Sequence, residues 1–406
     1  MKLRSTIRPS FQFASSIAMF LATPHTHAAT LYWDGVSNGT WNSAVNWSTA
    51  SNNALPNPAS RPIAGDDAVF HLSTIVATSA LTMNLAGNQA ANSMTFRNTG
   101  NFTIGANSSA GGTGTRTLTL GAGGITKNSG SAQVSIGTTS GVVSVIVGAG
   151  QTWTNNSATA LNIGTTFFSA TSTAATLGLG GNTLTLEGDG NFQFGGPTTS
   201  NSVISGTASA SLIKNGAGIL TIGGANSYAG AITVNAGSLV INGNISTSSQ
   251  TSVNTGGSLS GTGTVGTSTV LTGGTLAPGN SIGTLNFTNT LTLAGISNFE
   301  IDPLLGAGLN ADLANVTNGI AYGGTLNILY AGASSDFASG MVFNLFDASS
   351  FSGSFDTVNL PTLTEGLTWQ NDLASNGTLA VIPEPSASAF LGSLGILALL
   401  RRRRRA

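Results

Sequence analysis

The chain has 406 residues, of which only 7% are charged, 55 are glycine and none is cysteine. Ordinary soluble domains carry roughly 25% charged residues and ~7% glycine. With 40% hydrophobic residues the chain is not of the low-hydrophobicity disordered type, and its glycines keep no G-X-Y period, which excludes collagen. The missing cysteines exclude a disulfide framework, a thiolate nucleophile and a Cys-ligated zinc site.

Charge is concentrated at the ends. Lys2, Arg4 and Arg8 open the chain and Arg401, Arg402, Arg403, Arg404 and Arg405 close it. The five cations between (Arg61, Arg97, Arg116, Lys127, Lys214) face fourteen carboxylates, a net charge of −9. A nucleic-acid groove needs a basic face, and this body has none.

In chain order, residues 1–28 read as a secretory signal peptide. A cationic start precedes an apolar run from Phe11 to Ala22, then small residues that place cleavage between Ala28 and Ala29. The alternative, a membrane anchor, needs more than these twelve apolar residues to span ~30 Å of hydrocarbon. Residues 29–72 form a capping segment in which Tyr32, Trp33, Trp41 and Trp47 cluster. They cover the open end of a solenoid or, in the alternative, form a platform that stacks on sugars.

From 73 to 300 the sequence alternates short apolar-polar segments such as Thr117–Leu120, Thr183–Leu186, Ile232–Val234 and Leu291–Leu293, each closed by Gly, Asn or Ser. Period two with β-branched residues predicts strands, and no 3.6-residue stripe persists. Leu220, Leu239 and Leu259 recur every 19 or 20 residues, which predicts an all-β, right-handed parallel β-helix of about 20 residues per coil rather than a sandwich. Low charge suits that fold, because like charges on successive rungs would lie ~4.8 Å apart.

Candidate chemistry is sparse. His71 would be the only histidine after signal removal, and Asp66 and Asp67 are its near neighbours in sequence, not a spaced triad. Glu187 with Asp189 and Glu300 with Asp302 could set two carboxylates on one strand face, as a hydrolase would need. Neither pair has a basic sequence neighbour for a lyase. Calcium-loop, P-loop and dinucleotide fingerprints are missing. No catalytic residue, metal or cofactor is expected; the alternative is a carbohydrate-binding or polysaccharide-cleaving β-helix.

The run Lys214 to Gly243 resembles the autotransporter-associated β-strand repeat. Its pattern pairs a K-x-G-x-G-x-L-x-L strand with an N-x-Y-x-G-x-x-x-V turn and an x-A-G-x-L-x-V-N-G strand, and Leu220, Asn226, Tyr228, Gly230, Val234, Ala236, Gly237, Leu239, Asn242 and Gly243 match it. The resemblance implies the passenger-type solenoid of exported proteins. Residues 301–380 continue as a C-terminal β region. No run of ~10-residue barrel strands follows the repeat, so export by machinery other than a barrel of its own is expected.

Residues 381–406 hold Pro383, Glu384 and Pro385, fifteen uncharged residues from Ser386 to Leu400, and the five arginines. This tail resembles the PEP-CTERM sorting signal, which implies a short transmembrane helix with arginines on the cytoplasmic side and processing by an exosortase; a plain C-terminal anchor is the alternative. Together these readings make the chain a non-catalytic envelope or biofilm-matrix component. It would be held briefly in the inner membrane and then reach the cell surface or matrix. Its partners would be the secretion machinery, an exosortase and an exopolysaccharide, with no nucleic acid.

Overall fold

The computed structural model describes residues 28–35, 39–51, 60–71, 81–106, 114–137, 141–164, 175–196 and 204–385. Most of the expected signal peptide, the expected C-terminal helix and all five terminal arginines lie outside the described residues. Among those residues no helix is long and apolar enough to cross a membrane.

The architecture is all-β, with long parallel sheets wound as in a β-solenoid. Alternation accounts for the strands. In Thr183–Glu187 the residues Leu184 and Leu186 are fully buried while Thr183, Thr185 and Glu187 lie between them, partly exposed. Each coil contributes such strands to successive faces and lays them in register on the next coil. One face is a twelve-stranded parallel sheet running from Leu81–Asn84 to Thr357–Asn359. Along it Leu161, Phe192, Leu220, Leu239, Leu259 and Leu276 are register partners from coil to coil. A second inward row passes through Ile125, Trp153, Leu186, Lys214, Val234, Val253 and Val270. Like thus stacks on like, and the core is one continuous apolar column.

The expected coil length holds in two places, between Leu81 and Phe102, which are 21 residues apart, and through the stretch that follows Leu220. Leu220, Leu239, Leu259, Leu276 and Ser297 advance by 17 to 21 residues. Before them Phe102, Val134, Leu161, Phe192 and Leu220 advance by 27 to 32, and after them Ser297, Leu326 and Val358 advance by 29 and 32. The longer coils hold longer connections, and four strands span two faces, Gln89–Phe96, Arg116–Lys127, Leu313–Tyr322 and Phe346–Gly353. In the short coils the inward positions of the adjoining face are filled by Thr251 and Ser268.

Both ends are covered. At the start Trp33, Trp41, Trp47 and Phe70 pack edge to face or tilted, with centroids 5.1 to 6.4 Å apart. All four are essentially unexposed. Trp47 Nε1 donates to the Trp41 carbonyl at 2.7 Å. Rings buried this deeply offer no face to a sugar, so the tryptophans cap. At the other end a small antiparallel sheet of Val342–Asn344, Thr378–Pro383 and Leu367–Asp372 closes over Phe343, Phe346 and Trp369.

Candidate functional site

The repeat-like segment forms one coil and the turn that follows it. Strand Ser211–Lys214 leads into the turn Asn215–Gly218, then come strands Ile219–Ile222, Ala231–Val234 and Gly237–Ile241. Lys214 points inward, is unexposed, and donates to the carbonyls of Gly216 and Ala236. Burial lowers its pKa to about 8, against the attraction of Glu187 and Asp189. Asn226 is almost buried and ties three strands together: its amide donates to Gly223, Gly224 and Asn244 carbonyls, and its oxygen accepts the Ile204 N–H. The buried Tyr228 hydroxyl donates to the Ala231 carbonyl at 2.8 Å, and burial pushes its pKa well above the ordinary tyrosine value. These polar residues are thus turn clamps, each satisfied by backbone, and none faces an open site.

The pair Glu187 and Asp189 lies in the turn stacked directly on Asn215–Gly218. Glu187 accepts the Asn215 amide at 2.8 Å, Asn235 donates to Asn215 at 2.7 Å, and Asn254 donates to Asn235 at 2.6 Å. Four coils are therefore joined by one side-chain ladder. The basic residue missing from the sequence neighbourhood is brought close by the fold, since Lys214 stands one coil away. Being fully buried, it cannot meet a substrate.

Glu300 and Asp302 border an open groove of about 670 Å³ lined also by Asn327, Tyr330, Asn359 and Pro361. Glu300 ends strand Ile296–Glu300 and is exposed; Asp302 lies beyond it, its carboxylate accepting the Leu304 N–H at 2.9 Å. The Tyr330 hydroxyl donates to Asp336, which with nearby burial raises it to about 12. Beneath the groove Asp312 is 1% exposed and accepts the N–H groups of Glu300 at 2.7 Å and Gly283 at 2.9 Å. Burial raises its pKa to about 7, although both N–H bonds and the ionised form favour each other. A second amide ladder, Asn359 to Asn327 to Asn298, runs along the wall.

His71 follows strand Asp67–Phe70 and is half-buried. The carboxylate of Asp67 accepts Asn92 and Ser93, and that of Asp66 accepts the N–H groups of Ala29 and Ile63. No serine–histidine–aspartate relay forms from these groups. Among the described residues no group of three His, Cys, Asp or Glu side chains could hold a metal.

Of the two addresses, Ala28 is exposed and Ala29 leads into strand Thr30–Trp33. Pro383, Glu384 and Pro385 are exposed where the last strand leaves the cap; Pro383 pairs with Leu367 and Glu384 donates its N–H to the Gly366 carbonyl. Sequence reasoning missed Lys127, Asp312 and the amide ladders. The ladders were present as a signal, in asparagines recurring at 215, 235 and 254 in step with the coil.

Residues 212–241 match the passenger-associated-transport-repeat. This is the stretch from strand Ser211–Lys214 through strand Gly237–Ile241. Over 70 residues the chain is 51% identical to the adhesin BmaC autotransporter of Brucella suis biovar 1 (strain 1330). That alignment covers 17% of this chain and 2% of the relative's length. The likeness is therefore to a short segment of a much larger adhesin.

Proposed function

We propose that the chain is an exported, surface-exposed, non-catalytic β-solenoid that acts as an adhesin-like or matrix component. The observation that carries this reading is the match of residues 212–241, which lie within the parallel coil stack, to the passenger-associated-transport-repeat; a 70-residue likeness to an autotransporter adhesin supports it. A solenoid of this kind offers long flat faces with polar ladders, suited to extended contact surfaces. Delivery by a sorting step at Pro383, Glu384 and Pro385 follows from the tail's composition and from the exposure of those three residues. An exosortase would cut there, with the segment 386–400 in the inner membrane and Arg401 to Arg405 inside.

Deleting the gene in the producing bacterium should reduce attachment or matrix cohesion, and the wild-type chain should restore it. A variant with Glu187, Asp189, Glu300 and Asp302 changed to their amides should restore it equally. Loss of rescue in that variant, together with sugar release by the wild-type chain, would favour the second reading. In that reading the groove at Glu300, Asp302 and Tyr330 binds or cleaves a polysaccharide.

A further inference from the structure

The first coil is tied to a single buried carboxylate. Asp66 is 1% exposed; one of its oxygens accepts the Ala29 N–H at 3.0 Å and the other accepts the Ile63 N–H at 2.9 Å. Ala29 in turn accepts the Asp67 N–H at 2.8 Å, which starts the parallel pairing of Thr30–Trp33 with Asp67–Phe70. The adjacent carboxylate, Asp67, is turned to Asn92 and Ser93. Thus the nitrogen of one particular residue, at an exposed Ala28–Ala29 peptide bond, is held against a buried anion at the point where the tryptophan cap begins.

We propose that the Ala28–Ala29 bond is a processing site and that Asp66 is the acceptor for the terminus it creates. A leader peptidase adds water across this amide, leaving a carboxylate on Ala28 and an α-ammonium on Ala29. The N–H that already meets Asp66 becomes a charged donor with two further protons, and a hydrogen bond from a neutral amide to the carboxylate becomes a buried ion pair. Removal of the leader thereby locks the first coil, so that the cap is firmest only in the chain that has been exported. The inference rests on the export reading, but it concerns one bond and one carboxylate and stands apart from adhesion.

Two measurements test it. Amino-terminal sequencing of the protein recovered from the producing bacterium should begin at Ala29; a different first residue would overturn the processing site. The chain from Ala29 onward, released from a fusion so that Ala29 is its first residue, is then compared in detergent with the same chain bearing Gly-Ser-Ala ahead of Ala29. Both are made with and without Asp66→Asn. The free Ala29 terminus should raise the melting temperature by several degrees, and Asp66→Asn should abolish the difference. Equal melting of the two chains with Asp66 intact would overturn the ion pair even if the Asn variant failed to fold.

Discussion

The ammonium of Lys214 donates to the carbonyl of Gly216 inside its own turn, so a charge is buried in the axial row between Leu186 and Val234. Lys127 does the same three stacked strands earlier on the same sheet, donating to the carbonyls of Ser131 and Thr159. Burial lowers both to about 8, below the ~10.4 of a free lysine.

From pH 8 to about 10.5 the unfolded chain therefore binds more protons than the folded one, and stability rises with pH. At 1.36 kcal/mol per unit the gain is on the order of 3 kcal/mol for each lysine. Urea midpoints should climb over this range, and Lys214→Met should remove about half of the climb. A midpoint that fell steadily above pH 8 would contradict the burial of both charges.

Asp312 has the opposite dependence. Burial raises its folded pKa to about 7 from an ordinary value near 4, so the folded chain binds the extra proton between those values and stability falls as pH rises from 4 to 7. Combined with the lysines, this predicts a minimum of stability near pH 7 to 8. Asp312→Asn should flatten the acid limb and leave the alkaline rise intact. Asp312→Ala, which leaves the Glu300 and Gly283 N–H groups without this acceptor, should cost about 1–3 kcal/mol at pH 5. Chemical denaturation at five pH values checks both.

Gly237 opens a strand with φ of +69°, and a Cβ there would stand 2.4 Å from the Gly218 carbonyl oxygen on the coil beside it. Gly237→Ala should therefore cost more than 2 kcal/mol, combining a strained dihedral with backbone contact. Gly340→Ala is the control, since its φ of +92° has nothing within 4 Å of the added carbon. It should cost only the dihedral strain, about 1 kcal/mol. Equal losses in melting temperature would mean that the coils are not stacked this closely.

Asn235 joins Asn215 and Asn254 in the side-chain ladder. Asn235→Ala breaks both links and should cost about 1–2 kcal/mol, while Asn235→Gln, whose amide reaches past its neighbours, should recover little of it. The loss should be the same at low and high salt, because neutral amides carry the ladder. Thermal melts in 50 mM and 1 M salt distinguish this from an electrostatic effect.

Fold class was legible because period-two segments such as Thr183–Glu187 are short, β-branched and free of helical stripes, and because Leu220, Leu239 and Leu259 keep the coil's step. The step could not be extended beyond Ser297, since strands such as Leu313–Tyr322 cross two faces and lengthen the coil without changing the local alternation. The roles of Lys214, Asn226 and Tyr228 were hidden for a different reason. A motif shows which residues recur but not that their polar atoms turn onto backbone carbonyls of their own turn and of the next coil. The surroundings of the acidic pairs were hidden in the same way: Glu187 takes part in an amide ladder, and Asp302 holds its own loop through Leu304, relationships set by neighbours 28 residues away and by a turn. Asp312 gave no local signal, because Gly283 meets it through coil stacking and Glu300 across the antiparallel excursion that pairs Ile301 with Ala311.

The solenoid is proposed to leave the cell interior and stand at the surface by way of its Pro-Glu-Pro tail. Labelling of intact producing cells with antibody raised against residues 60–385 tests it most directly, with permeabilised cells as the total. The account predicts full labelling of intact cells for the wild-type chain and loss of surface label when Pro383, Glu384 and Pro385 are changed to alanine. Antigen reached only after permeabilisation in the wild type would contradict it.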